Sequence, residues 1–361
     1  MGRNINQDQQ NPEKLKKTSA NLPSETIRKS LFYRVRELAA RAGLDGFLLT
    51  LLSLMLLAYW KPELGSSGSP LPLGTISTYG VSVIFFFYGL RLSPEKLRVG
   101  LSNWYLHLLI QSTTFVLFPV LILAAKALWF YETPEVLWLG AFYLAALPST
   151  VSSSVVMVSI AGGNLPAAIF NASISSLLGV FITPLWMGWY LQAGSGEFNL
   201  WPIIGKLTFQ VLVPVILGIG LHSRWGAFAD KHRQKLRLFD QTIILIIVFN
   251  SFSQSFADRV FSGLNTPDIL LLGLWLAFFF FLVMALVYVT GRLLQLNREN
   301  QITALFCGSK KSLVHGTVMS KVLFPDAAMA GLVLLPIMIY HALQLIFASI
   351  IAQGIARKPK Q

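Results

Sequence analysis

The sequence predicts an all-α polytopic membrane protein of ten transmembrane helices. Of its 361 residues, 54% are hydrophobic and only 12% are charged, whereas soluble domains carry about a quarter charged residues. The charged residues form short clusters, and the apolar stretches between them approach the roughly 17–25 residues that span a bilayer. The net charge of +13 does not indicate nucleic-acid binding, because the basic residues flank apolar stretches, as in membrane proteins.

The ten predicted spans follow one another with short connections. They are residues 44–60, 74–91, 104–128, 136–160, 166–191, 203–221, 240–257, 268–291, 301–324 and 329–352. We expect a cytoplasmic tail over residues 1–43, with a juxtamembrane amphipathic helix at Leu31–Arg41, and a second cytoplasmic tail over residues 353–361. The first five-helix repeat covers 44–191 and the second 203–352. The interrepeat region, 192–239, includes span six and a basic connector.

The distribution of lysine and arginine predicts the orientation. With the N-terminus in the cytoplasm, the cytoplasmic segments hold 22 of these residues and the opposite side holds 5. Cytoplasmic loops of membrane proteins carry such an excess of positive charge. We therefore expect a multi-pass protein of the cell (inner) membrane with both termini in the cytoplasm.

Spans four and nine each contain a helix-breaking, hydroxyl-rich patch near the middle. Span four reads LPSTVSSS over Leu147–Ser154, and span nine reads CGSKKSLVHG over Cys307–Gly316. Each is the fourth helix of its set of five, which is typical of transporters built from inverted repeats. In such transporters discontinuous helices meet near the midplane, and free amides at half-helix N-termini face an ion or substrate. We therefore expect helices 4 and 9 to be discontinuous and to cross.

The candidate site residues for substrate or ion lie at the two breaks and on span five. They are Ser152, Ser153 and Ser154, then Asn171 and Ser175, then Ser309, Lys310, Lys311 and Ser312, with Thr114 and Asn250 as secondary candidates. The alternative is that the serines only allow close helix packing.

Lys310 and Lys311 are the clearest indication of a functional site in the sequence. A cationic side chain at bilayer depth costs about 2.5–3.5 kcal/mol, and no aspartate or glutamate lies at mid-span. The lysines must therefore contact backbone carbonyls of the broken helices, an anionic ligand or water, unless they snorkel to the membrane surface. His315 lies one turn beyond Lys311, which makes it a candidate partner for Lys310 in a proton relay.

With these motifs the chain resembles the bile-acid:sodium symporter superfamily (solute carrier family 10), in a bacterial branch resembling the orphan seventh human member. The stretches that carry the resemblance are Pro148–Val156, Gly163–Pro184, and Gly308–Ser312 with Phe324-Pro325. The resemblance implies a core domain and a panel domain, with spans four and nine unwound and crossing in the core. It also implies two sodium ions bound around that crossing.

The sequence departs from the family pattern at the sodium ligands. Ser153-Ser154 stands where the family has serine-asparagine, and Ala168 and Ala172 stand at hydroxyl positions. Phe306 replaces a ligand glutamate, and Lys310 replaces a ligand glutamine. We therefore expect the usual sodium sites to be reduced, with a lysine, Lys310, in place of a sodium ion.

The function that this pattern predicts is secondary transport of a small organic anion by alternating access. Its partners are the lipid bilayer, the anion and a coupling ion, either proton or sodium, with no nucleic acid, cofactor, catalytic residue or confident metal ligand. One alternative is a non-transporting membrane regulator of ion or lipid-linked sugar handling. The other is a sodium-coupled symporter despite the lysine. Arsenite efflux needs a thiolate in span four, and an intramembrane enzyme needs a nucleophile–base pair; the sequence contains neither.

Overall fold

The computed structural model describes residues 46–91, 103–128, 133–195, 205, 208–259, 261, 265–324 and 326–357. The expected tail helix at Leu31–Arg41 lies outside the described residues. The described part is helical and contains no strand. Its helices are α1 (Gly46–Trp60), α2 (Leu73–Leu90), α3 (Trp104–Leu128), α4a (Glu135–Ala146), α4b (Ser152–Ala161), α5 (Leu165–Ser195), α6 (Thr208–Lys231), α7 (Arg233–Ala257), α8 (Thr266–Leu293), α9a (Arg298–Gly308), α9b (Leu313–Leu323) and α10 (Ala327–Ala356).

Seven of these helices are long and apolar enough to cross a membrane, namely α2, α3, α5, α6, α7, α8 and α10. Helices α1 and α4a are apolar but shorter. Each predicted span overlaps one helix or, at spans four and nine, a pair of half-helices. The protein is therefore a multi-pass membrane protein.

The basic connector between α6 and α7 is helical, which differs from the sequence prediction. Span six was predicted to end at residue 221, yet α6 continues to Lys231 and α7 begins at Arg233. The prediction ended the span where apolar residues become sparse. The backbone hydrogen-bond ladder does not require apolar side chains, so the helix continues through polar residues that favour it.

The two predicted helix breaks are present. Helix α4a ends at Ala146, where Leu147 is extended (φ −71°, ψ 153°). Pro148 then lacks the amide that a continuing helix needs. Helix α9a ends at Gly308, and Ser312 caps α9b by accepting a hydrogen bond from the backbone amide of His315 at 3.2 Å. Proline in one case and a glycine–serine segment in the other thus interrupt the helices where the sequence predicts.

Two groups of helices can be distinguished, and α7 packs as extensively on α10, across the groups, as on α1 within its own group. Helices α1, α2, α6 and α7 form the first group, and α3, α4a, α4b, α5, α8, α9a, α9b and α10 form the second. Within the first group α2 and α6 approach closely, since a Cβ atom on Gly89 would lie 2.2 Å from the Val215 carbonyl oxygen. The groups meet where α7 packs on α10 and α9b and where α2 packs on α9b. Both helix breaks belong to the second group.

Candidate functional site

The two helix breaks contact each other directly. The backbone amide of Ser312 donates to the carbonyl oxygen of Pro148 at 2.9 Å. The Ser149 hydroxyl donates to the carbonyl oxygen of Cys307 at 2.6 Å. Buried backbone groups need hydrogen-bond partners. Where the helices are interrupted, some backbone groups lack their usual helical partner, and each break supplies partners to the other. We call residues 147–151 and 309–312 together the break junction.

Hydroxyl groups on α5 satisfy the first break. The Ser175 hydroxyl accepts a hydrogen bond from the backbone amide of Ser149 at 2.9 Å. The Thr183 hydroxyl donates to the carbonyl oxygen of Ala146 at 2.7 Å. Ser175, a predicted ligand, therefore lies at the junction and holds its backbone.

Two polar side chains of α10 satisfy the second break. The Tyr340 hydroxyl donates to the Ser309 carbonyl oxygen at 2.8 Å. The backbone amide of Lys311 donates to Gln344 Oε1, and Gln344 Nε2 donates to the Lys311 carbonyl oxygen, both at 2.8 Å. The sequence analysis missed both residues. Their spacing of four within an apolar helix, which places them on one face, was the signal available.

The ammonium of Lys311 lies at the centre of the break junction, with the side chain 1% exposed. Its Nζ donates to the carbonyl oxygens of Thr114 and Ala145, each at 2.6 Å, and of Leu147 at 2.8 Å. It also lies 4.0 Å from the centroid of the Phe118 ring, a favourable position for a cation. We call the three carbonyls and this ring the carbonyl cage. Thr114 lies in a π-helical turn, Thr113–Leu117, and such turns are common at functional sites.

Lys310 has a different environment. Its side chain is 0% exposed, and among the described residues its Nζ has no hydrogen-bond partner. It interacts electrostatically with Cys307 and His341. The carbonyl contacts expected of a resident cation thus belong to Lys311 and not to Lys310.

The predicted relay partner of Lys310 has other contacts. His315 Nδ1 lies 3.0 Å from the Ser312 hydroxyl, and its ring meets Tyr88 edge-on at 5.3 Å. His341, which no sequence pattern singled out, interacts electrostatically with Lys310. The relay of Lys310 with His315 stays a prediction; in the structure His315 has Ser312 and Tyr88 as neighbours.

The predicted serines have mixed surroundings. The Ser309 hydroxyl donates to the Leu305 carbonyl oxygen at 2.6 Å, and the Ser153 hydroxyl donates to the Thr150 hydroxyl at 3.3 Å. The Ser154 hydroxyl is buried and has no hydrogen-bond partner among the described residues. Ser152 begins α4b, and its side chain lies outside what the structure describes.

The side chains of three further predicted residues form hydrogen bonds away from the break junction: Thr114, Asn171 and Asn250. The Thr114 hydroxyl donates to the Ile110 carbonyl oxygen at 2.8 Å. The group of Thr114 that contacts Lys311 is therefore its backbone carbonyl and not its hydroxyl. Asn171 Nδ2 lies 2.8 Å from His107 Nδ1 and 2.9 Å from the Ala167 carbonyl oxygen. Asn250 lies between the helix groups, where its Oδ1 accepts from Lys321 Nζ at 3.3 Å.

The positions that depart from the family's sodium ligands are buried and mostly apolar. Ala168 and Phe306 are 0% exposed, and Ala172 is 1% exposed. These side chains offer no oxygen to a sodium ion, which prefers oxygen ligands as other hard cations do.

Comparison with known proteins places this architecture in a family. The model of the SBF-like CPA transporter family matches residues 45–357. An uncharacterized protein of Pseudomonas aeruginosa is 42% identical over 319 residues, covering 87% of this chain and 93% of the relative. The Escherichia coli protein YfeH, named only as a candidate symporter, is 34% identical over 322 residues, with 88% and 95% coverage. Sodium/bile acid cotransporter 7 of Danio rerio is 31% identical over 329 residues, again with 88% and 95% coverage. The chain therefore belongs to the SBF-like CPA transporter family, within the bile acid:sodium symporter superfamily.

Proposed function

We propose that the chain is a secondary transporter that moves a small organic anion by alternating access, with Lys311 in place of a sodium ion. In this proposal ten crossings form two inverted repeats, 44–191 and 203–352, and both termini lie in the cytoplasm of an inner membrane. The matching breaks in α4 and α9 and the division of the helices into two groups support this architecture.

The observation that carries the proposal is the carbonyl cage around Lys311. Backbone carbonyl oxygens are ligands for hard cations, and three of them lie within 2.8 Å of one ammonium group. The ammonium supplies at this place the positive charge that a sodium ion would supply. Because the charge is covalently attached, the junction needs no external sodium to hold its carbonyls together.

Lys310 provides the contact for the anion. It is buried without a hydrogen-bond partner in the described part of the chain, and a buried charge needs a partner. The name of the Danio rerio relative, sodium/bile acid cotransporter 7, gives sodium and a bile acid as its cargo, and bile acids are organic anions. We propose an anionic substrate for this chain as well, but not its coupling to sodium. A proton gradient, or exchange for another anion, drives the transport instead.

Transport by the Lys310→Ala variant tests this proposal. Full-length protein is reconstituted in liposomes, and uptake of labelled acetate, benzoate and cholate is measured with and without sodium. We expect the wild type to take up at least one anion without sodium. We expect Lys310→Ala to fold and to lose that uptake, because its binding site lacks the positive charge. Lys235→Ala, which removes an exposed lysine of α7, is the matched control.

Three results would contradict the proposal. Equal uptake by Lys310→Ala and the wild type removes Lys310 from the site. A strict requirement for sodium in anion uptake would instead support a sodium-coupled symporter despite the lysine. Absence of wild-type uptake of all three anions under sodium, proton and anion gradients favours a non-transporting membrane regulator.

A further inference from the structure

The segment Ser309–Lys311 is fixed against α10 on both sides of Lys310. Tyr340 binds the Ser309 carbonyl, and Gln344 binds both the amide and the carbonyl of Lys311. Tyr340 and Gln344 are four residues apart and share a face of α10. His341 lies next to Tyr340 in sequence and one turn before Gln344, on the part of α10 that contacts the backbone of Ser309 and Lys311.

The hydrogen bonds of Gln344 fix its orientation. A backbone amide is a donor and a carbonyl is an acceptor, so Oε1 must face the Lys311 amide and Nε2 the Lys311 carbonyl. Amide nitrogen and oxygen are assigned from such networks, and here both partners are backbone groups whose roles cannot change. One hydrogen of Nε2 therefore points to the Lys311 carbonyl oxygen, and the second is available for another acceptor.

That second hydrogen determines the tautomer of His341. Gln344 Nε2 lies 2.9 Å from His341 Nδ1. Because Nε2 can only donate, Nδ1 must accept and carries no proton. A neutral imidazole has one N–H, so the proton of His341 is on its Nε2, where it can be donated to a ligand.

Lys310 and His341 therefore bring donors together without an acceptor. The two side chains interact electrostatically, and Lys310 Nζ has no hydrogen-bond partner among the described residues. The other electrostatic partner of Lys310 is the Cys307 thiol, which is a weak acceptor. In the described part of the chain the ammonium thus has no carboxylate partner, and a ligand with oxygen acceptors would complete the arrangement.

We propose that Lys310 Nζ and His341 Nε2–H together bind the oxyanion group of the transported substrate, such as a carboxylate or sulfonate. This inference rests on the proposed function and adds a second contact and a ligand class. Two donors, one from the segment between α9a and α9b and one from α10, favour a group with two acceptor oxygens over a spherical halide, which has one centre. Gln344 is the positioning residue that orients the His341 ring.

Anion-dependent stabilisation of the purified full-length protein tests the pair. Melting temperature is measured in sodium-free potassium buffers against increasing benzoate, methanesulfonate or chloride. We expect both oxyanions, but not chloride, to stabilise the wild type, and Lys310→Met to abolish this effect. We expect His341→Phe to weaken apparent oxyanion affinity about tenfold or more, since a hydrogen bond to a charged group is lost. His341→Gln, which keeps a donor and an acceptor, should restore part of the affinity.

The controls separate this inference from the proposed function. Lys235→Met removes a lysine of α7, His232→Phe removes the histidine between α6 and α7, and both variants should keep the wild-type response. If Lys310→Met abolishes stabilisation while His341→Phe binds like the wild type, the inference fails and the proposed function stands. If neither variant changes the response, both fail. Stabilisation by chloride equal to that by the oxyanions overturns the ligand class, and His341→Gln no better than His341→Phe overturns the direct contact.

Discussion

At the scale of single residues, two adjacent lysines have opposite surroundings. Lys311 is bound by three carbonyls, whereas Lys310 Nζ has no hydrogen-bond partner among the described residues. The sequence predicted that backbone carbonyls, an anionic ligand or water would compensate the buried lysines, but it could not predict which lysine would have which partner. The rule that neighbours point about 100° apart holds for a regular helix, and both lysines lie in the non-helical segment between α9a and α9b.

The carbonyl cage predicts the behaviour of Lys311→Ala. Removing the ammonium leaves three buried carbonyls without this donor, so we expect unfolding to become easier by about 3 kcal/mol. Sodium or methylammonium should enter the space left by the side chain and raise the melting temperature of the variant with increasing concentration. The measurement is thermal unfolding of purified protein in choline, sodium and methylammonium chloride. The wild type should not respond to the cation, and a variant as stable as the wild type would contradict the cage assignment.

At the scale of elements, local chemistry made the helix breaks predictable. Pro148 removes an amide, and Gly308–Ser309 weakens a helix, whatever surrounds them. The partners of the broken segments depend on packing between distant parts of the chain, and Tyr340 and Gln344 lie about thirty residues after the break that they satisfy. The same reasoning missed the helical extension of α6 to Lys231, because hydropathy marks the bilayer and not the end of a helix.

Gln344→Leu tests how the second break is held. This change leaves the buried amide and carbonyl of Lys311 without their partner, and each such loss costs about 1–3 kcal/mol. We expect a clearly lower melting temperature and loss of anion uptake, because the segment carrying Lys310 is no longer fixed. Gln353→Leu on the same helix is the matched control, since its amide contacts the Ser349 side chain and not the junction. An equal fall in melting temperature for both variants would contradict the role of Gln344.

At the scale of the whole molecule, hydropathy predicted the order and approximate bounds of the helices, because the bilayer imposes length and composition on apolar helices that cross it. The division into two helix groups was implied only by the resemblance. The contacts between the groups could not be predicted, because they join single residues far apart in sequence. Ser255 of α7 donates to the Ala328 carbonyl oxygen of α10 at 2.7 Å, and Lys321 of α9b donates to Asn250 of α7 at 3.3 Å.

Alternating access requires the two helix groups to move relative to each other, so a covalent link between them should stop transport. Ser255→Cys with Ala328→Cys places two thiols where α7 meets α10. The native Cys307 is buried and so is shielded from the oxidant that links them. We expect oxidation to abolish anion uptake in liposomes and a reducing agent to restore it. Asn164→Cys with Asn300→Cys links side chains that lie 2.9 Å apart within the second group, and its oxidation should leave uptake intact. Continued uptake by the oxidised first pair would show that these helix groups do not separate during transport.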